Sequence, residues 1–443
     1  MGQSSEMSRA TRTLETTKNI KKLLPSFFTP EKKEETEDKK HLAWCMHGVP
    51  PELLAAFELP WKWPENYGTL CAARLVASDF IDLAEAEGFS NELCSYLLNS
   101  IGYCVRCREL GTVPPESPVE EGLGDPSMML GSGLTCDPRY KWFQTLATRY
   151  VEKPVFSSDP LSPPPGIDVH DSRVEAHYLE HLRRDLQAQI NFLEEQLGQE
   201  MDRKKLGEIM HHSHQAEKYW YEALELCKNR PAPFGATDYF TAIIPQLYMM
   251  GAPEASHFYQ ELYHEAKTRV ENNIGVVKKE KFRFIFFGIP PWFNLGYFNY
   301  LEEHGAVVTN FATYYVGKPV ETDLKDPVEA LVQRTWKKAV WYHGQGTEVM
   351  PEICNPGIAS CYVGRKLLDQ WIEEFSLDGA IFHRTKSCRA LSVGQLFYRN
   401  YLSEKNVPTL VFESDMADPR TWSDARIKNL TETFLETVET NKK

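Results

Sequence analysis

The sequence predicts an α/β fold with a parallel, doubly wound sheet, and three observations in its last third predict it. Four apolar runs, "KFRFIFFGIP", "AVVTNF", "DGAIFHR" and "PTLVFESD", are short enough to be buried strands. Helix-like stretches separate them: "WFNLGYFNYLEEHG", "CYVGRKLLDQWIEEF" and "SVGQLFYRNYLSEKN". Strand alternating with helix implies parallel pairing, because each crossover must return the chain to the same end of the sheet. Ligands bind such sheets beyond the carboxyl ends of the strands. Cys388, a few residues after "GAIF", falls on that edge.

The preceding elements follow in order. Residues 1 to 40 are rich in Lys, Glu, Ser and Thr, with "PEKKEETEDKK" as the extreme, and predict a flexible, solvated arm. Residues 41 to 165 mix short apolar runs with helix-like ones and predict an N-terminal α/β domain. In it, "AARLVASDFIDLAEAEG" has helical spacing and stops at Gly88, and "SNELCSYLLNSIGY" opens a helix with Ser90 as its cap. "SMMLGSGLTCDPRYKWFQTLATRY" reads as strand, Gly-rich turn, then a helix opened at Asp137-Pro138. "PLSPPPG" marks a boundary. Residues 166 to 273 predict a helical segment. Val174, Tyr178, Leu182, Leu186, Ile190, Leu193 and Leu197 form one apolar stripe there, as core packing between helices requires. Residues 274 to 443 form the C-terminal α/β domain.

The 443 residues are enough for two or three cores, and a formal net charge of −13 argues against a non-specific grip on nucleic acid. No run approaches a membrane span and the N-terminus lacks the apolar stretch of a signal peptide, so a cytoplasmic protein is expected. The 10 cysteines are then expected to be reduced: buried, reactive or metal-bound.

Three cysteines share one setting. Cys94, Cys136 and Cys388 each lie at or near the start of a helix, where backbone N–H groups and the helix dipole stabilise a thiolate. Three such thiolates suit an iron–sulfur cluster with one iron left open; three unrelated buried thiols fit the same spacing. "YCVRC" supplies Cys104 and Cys107 as half a metal site, a redox pair, or neither. "HHSH", residues 211 to 214, lies in a polar helix without nearby carboxylate ligands and predicts a solvated face. "GSGLTC" departs from a dinucleotide-binding loop, and no GxxxxGK[ST] occurs. Ser414, Asp415 and Asp418 in "FESDMADPR" are candidates for ligands, acid–base groups or loop caps.

From "DGAIFHRTKSCRALSVGQ" through "VPTLVFESDMADPR" the chain closely resembles the 2-hydroxyacyl-CoA dehydratase and benzoyl-CoA reductase family. "EGFSNELCSYLLNSIGY" and "LTCDPRYKWF" fit the family's earlier cysteine segments. "WPENYGTLCAARLVASDFIDLAEAEGFS" is most similar to the B subunits of the ATP-dependent benzoyl-CoA reductases. The resemblance implies two flavodoxin-like domains with additional helices, and a [4Fe-4S] cluster held by Cys94, Cys136 and Cys388. It also implies a homologous smaller catalytic subunit and separate ATPase subunits that take electrons from ferredoxin, which accounts for the missing P-loop. The implied substrate is an aryl-CoA thioester, with dehydration of a 2-hydroxyacyl-CoA, or electron relay alone, as the alternatives. One-electron reduction of such a thioester needs positive charge or hydrogen-bond donors nearby. His383, Lys386 and Arg389 are the candidate catalytic groups; they suit contacts to the cluster, to CoA phosphates or to the partner equally well. Cys104, Cys107, Cys354 and Cys361 leave open a larger double-cubane cluster.

Overall fold

The structure, a computed structural model, describes residues 12–22, 41–133, 136, 138–158, 163, 167–344 and 364–442. Its frame is two four-stranded sheets, parallel throughout. The first comprises β1 (Ala43–Cys45), β2 (Trp61–Lys62), β3 (Met128–Ser132) and β4 (Val155–Ser158), in the order β2-β1-β3-β4. The second comprises β5 (Phe282–Phe287), β6 (Ala306–Phe311), β7 (Gly379–Thr385) and β8 (Thr409–Ser414), in the order β6-β5-β7-β8. In both, the winding reverses between the first and third strands. This is the flavodoxin-type order, whose crevice opens at the carboxyl ends of that central strand pair. The expected fold class is therefore the observed one.

Around the first sheet lie α1 (Pro51–Ala56), α2 (Pro64–Ala73), α3 (Ala77–Ala86), α4 (Ser95–Leu110) and α5 (Pro138–Arg149). The stretch read as one continuous helix is two: Leu75, at φ 60°, breaks it between α2 and α3. Gly88, at φ 95°, supplies the left-handed turn that ends α3. Next come α6 (Ser172–Leu197), α7 (Arg203–Glu225), α8 (Ala236–Tyr248) and α9 (Pro253–Glu271). Asp171 caps α6 by accepting from the Arg173 amide. The α6 stripe packs on the first sheet: Leu182, Leu186, Ile190 and Leu193 are buried in one core with Met128 and Leu130, and Val174, Tyr178 and Leu197 pack against them.

The second sheet is surrounded by α10 (Gly296–Glu303), α11 (Pro327–His343), α12 (Arg365–Glu374), the single turn α13 (Arg389–Ser392), α14 (Gln395–Glu404) and α15 (Asp424–Asn441). Its core is continuous with residues of α7, α8 and α9, so the central helices serve both sheets. On the opposite face of the first sheet, Met416 and Ala417, just beyond β8, join a core with Trp44, Tyr96 and Trp142. The N-terminal region departs from the expected solvated arm at residues 12–20. Leu14 and Ile20 are buried in the core of the second sheet, and a single helical turn, Glu15–Lys18, lies between them.

Candidate functional site

The carboxyl ends of the two sheets meet, and the meeting is built from short polar turns. After β7 the chain turns through Lys386 and Ser387: the Lys386 amide donates to the Ser414 carbonyl at 2.9 Å, and the Ser387 amide to Asp415 Oδ2 at 3.2 Å. Cys388 follows as the capping residue of α13. Opposite it, Cys94 is the capping residue of α4, one turn later than the Ser90 cap expected; Ser90 makes only a local turn with the Glu92 amide. The neighbours of the two cysteines touch. Ser387 Oγ accepts from the Ser95 amide at 3.3 Å and meets the Ser95 hydroxyl at 3.3 Å. Trp292 Nε1 donates to the Tyr96 hydroxyl at 2.6 Å across the same boundary.

Cys136 sits between β3 and α5, close enough to Cys94 for each charge to affect the other. Burial pushes the Cys94 thiol up to about 12, against the favourable amides of Leu97 and Tyr96. It is therefore protonated at neutral pH, and ligation to a metal would have to displace that proton. Among the described residues no three metal-ligating side chains close around a single ion.

Beside the thiols lies a polar group that the sequence reading missed. Glu65, in the first turn of α2, takes a two-pronged ion pair from Arg139 in the first turn of α5, at 2.7 and 2.8 Å. Arg139 is buried and Glu65 largely so, and Arg139 also donates to the His47 carbonyl at 3.1 Å. Burial alone would raise the Glu65 pKa; Arg139 and His47 outweigh it and hold the carboxyl below its ordinary range. Glu65 is also near enough to act on the Cys94 charge. His47, just past β1, stacks on Trp63 with ring centres 4.8 Å apart, and its Nε2 lies 3.8 Å from Glu65 and 3.5 Å from Asn66. Burial keeps this imidazole below its ordinary pKa despite Glu65, so it is neutral near pH 7. A neutral imidazole against a carboxylate held by arginine can move a proton or orient a hydrogen-bonding ligand. The local signal was Pro64-Glu65 at a helix start. Its partner stands 74 residues away.

The other candidates are spread across the structure. His383 is fully buried within β7, its Nε2 2.7 Å from the Ser414 hydroxyl and its Nδ1 on the Ile289 carbonyl. Burial pushes it down to about 4, so it carries no charge at neutral pH. Lys386 and Arg389 are exposed on either side of Cys388. Asp415 caps the loop after β8 by accepting from the Ala417 and Asp418 amides, and Asp418 caps the next turn and pairs with Arg420. In "HHSH", His211 is exposed and His214 meets Glu321 at 3.1 Å. Cys104 and Cys107 lie far along α4, about 15 and 20 Å up the helix axis from Cys94 at ~1.5 Å per residue. Cys354 and Cys361 lie outside the described residues.

The model of the family described as "2-hydroxyglutaryl-CoA dehydratase, D-component" matches residues 46–438. The chain is 26% identical to the benzoyl-CoA reductase B subunit of Thauera aromatica, over 88% of this chain and 86% of that protein. It is 25% identical to the (R)-phenyllactyl-CoA dehydratase alpha subunit of Clostridium sporogenes, over 92% of each. Similarity at 22% identity extends to the lactoyl-CoA dehydratase alpha subunit of Anaerotignum propionicum, over 90% of this chain and 91% of that protein.

Proposed function

Because the chain belongs to the 2-hydroxyglutaryl-CoA dehydratase D-component family, whose members carry [4Fe-4S] clusters, we propose that it is a cluster-bearing, thioester-binding subunit of this kind. We assign it to the reduction of an aryl-CoA thioester, with Cys94, Cys136 and Cys388 as the cluster ligands. The observation that carries the reading is the contact of Ser95 with Ser387, which brings Cys94 and Cys388 to one edge, with Cys136 beside Cys94.

The residues fit such a group. Cys94 and Cys388 each cap a helix, Cys136 precedes α5 by two residues, and two amides already point at Cys94. The cluster, when bound, supplies single electrons at low potential. The chain's own residues do the rest. The Glu65–Arg139 pair and His47 form a preorganised polar wall that orients the thioester and exchanges a proton with it. Lys386 and Arg389 offer positive charge to developing negative charge or to CoA phosphates. His383, neutral and bonded on both nitrogens, acts as a positioning residue that fixes the end of β7 against Ile289 and Ser414.

A partner subunit is part of the proposal. Five of the nine large apolar side chains exposed among the described residues, Leu93, Tyr140, Val393, Leu396 and Phe397, lie close in sequence to the three cysteines. Exposed apolar groups on the segments that carry the cysteines suit coverage by a homologous subunit. ATP hydrolysis then belongs to separate electron-delivering subunits, in keeping with a sequence that carries no GxxxxGK[ST] motif.

The second reading, dehydration of an aromatic 2-hydroxyacyl-CoA, is favoured by the 25% identity to a phenyllactyl-CoA dehydratase subunit. Both readings share an aromatic acyl thioester. The complex, purified without oxygen and supplied with reduced ferredoxin, the ATPase and ATP, is offered benzoyl-CoA and phenyllactyl-CoA separately. Loss of the ring absorbance of benzoyl-CoA supports the reductase. Formation of cinnamoyl-CoA alone supports the dehydratase. No turnover of either substrate by a complex loaded with iron refutes both assignments.

A further inference from the structure

We propose that residues 12–20 form a proton-controlled strap, latched on Asp238 and coupled through α8 to the His47–Trp63 wall of the thiol site. The latch itself depends on no assumption about the reaction.

The strap is held by side chains supplied from elsewhere. Asp238 Oδ1 accepts from the Leu14 amide at 2.9 Å and from the Thr17 hydroxyl at 2.5 Å. Glu265 of α9 accepts from the Glu15 and Thr16 amides at 2.8 and 2.9 Å. These amides open the Glu15–Lys18 turn and would otherwise be unpaired, so the two carboxylates act as caps from outside the segment. Arg269 completes the grip through the carbonyls of Arg12 and Thr13.

Behind the latch is a second carboxyl with no partner. Asp238 is 1% exposed and Glu302 8%, yet among the described residues Asp238 Oδ2 and both oxygens of Glu302 make no hydrogen bond. Glu302 reaches the start of α8 because residue 235 is glycine; a Cβ there would meet Glu302 Oε1 at 2.5 Å. The charged and titratable groups facing Asp238 are Glu302, Glu265 and Arg269, with the Cys227 thiol nearby. The one cation among them, Arg269, is already committed to the carbonyls of Arg12, Thr13 and Pro233. Burial pushes Glu302 up to about 8 and Asp238 up to about 6. Protonated Glu302 leaves Asp238 its charge for the strap. Ionised Glu302 adds a second negative charge in a buried space where those groups offer no further cation, and opening the strap to water relieves it. The docked form holds a proton that the open form releases, so docking weakens as pH rises through about 8.

The far end of α8 touches the site. The Leu247 carbonyl accepts from Trp63 Nε1 at 2.8 Å, and the Tyr248 hydroxyl meets the Asn66 side chain. Trp63 and Asn66 are the groups against which His47 rests. The 13-residue helix spans about 20 Å and carries a movement of its first turn to that wall.

Hydrogen–deuterium exchange of the full chain tests this, read on residues 13–18 and 61–66 and corrected for the intrinsic effect of pH. In the wild type, strap protection should fall by up to roughly tenfold between about pH 7 and about pH 9, with residues 61–66 loosening in step. Glu302→Gln, which keeps the shape of the neutral carboxyl, should stay protected across that range. A wild-type strap indifferent to pH would overturn the proposal, as would a Glu302→Gln chain that loosens at the same pH as the wild type. Strap loosening without a response at 61–66 would overturn the coupling.

Discussion

Ser387 and Ser95, 292 positions apart in the chain, join the two sheet edges: the Ser387 hydroxyl accepts from the Ser95 amide and meets the Ser95 hydroxyl, both at 3.3 Å. Each serine is the neighbour of a cysteine, so the contact fixes the separation of two thiols that belong to different sheets. Asp415 holds the Ser387 amide from behind. Replacing Ser387 by alanine should cost about 1 kcal/mol of global stability, the usual net value of one hydrogen bond. The more telling effect is local. An iron chelator should strip the anaerobically prepared variant several-fold faster than the wild type, whereas equal stripping rates would mean that the edges are held together elsewhere.

The Glu65–Arg139 pair should behave as a buried ion pair does. Arg139→Met leaves a buried carboxylate without its cation, which costs about 3–5 kcal/mol. Glu65 should then titrate upward, since burial would no longer be opposed by the guanidinium. Adding Glu65→Gln should recover much of the loss, because both charges are then gone. Denaturant unfolding of the two single variants and the double variant measures the coupling, and simple additivity would show that the two groups do not act as a pair.

The second sheet was legible because its strands are long, apolar and separated by helices: "AVVTNF" coincides with β6, Ala306–Phe311. The first sheet was harder to read. Its β1 and β2 have 3 and 2 residues, too short to carry a period, and are recognisable only by their pairing with each other and with β3. The cysteines at helix starts could be read because capping is local. His47, Glu65 and Arg139 could not, because what makes them a group is contact between distant segments and shared burial. The docked N-terminal strap was hidden for the same reason. A polar composition predicts solvation, and it is contacts from distant residues, the carboxylates of Asp238 and Glu265 and the Arg269 guanidinium, that hold the turn at residues 15–18 against the core.

His383 makes acid sensitivity a property of the β7 end. Its folded pKa of about 4 lies below the ordinary value of 6.5, so the unfolded chain binds its proton first. The resulting stability is complete above about pH 6.5 and is lost as pH falls towards 4, amounting to roughly 3 kcal/mol at most. His383→Gln should flatten the stability profile between about pH 4 and about pH 6.5, measured by denaturant midpoints. A profile unchanged by the substitution would assign that acid sensitivity to other groups.

The count of irons separates the site cysteines from the others. Cys104 and Cys107 lie about 15 and 20 Å along α4 from Cys94, which places them beyond the reach of a single cubane anchored at the helix start. Burial also raises both of their thiols, so neither is set to ionise by itself. The double variant Cys104→Ser/Cys107→Ser, prepared without oxygen, should therefore retain about four irons per chain and the wild-type Mössbauer spectrum. Cys388→Ala should lose most of its iron or expose a second labile iron site. A wild type with about eight irons, falling to about four in the Cys104/Cys107 double variant, would instead require a second cluster towards the far end of α4 and displace the three-cysteine account.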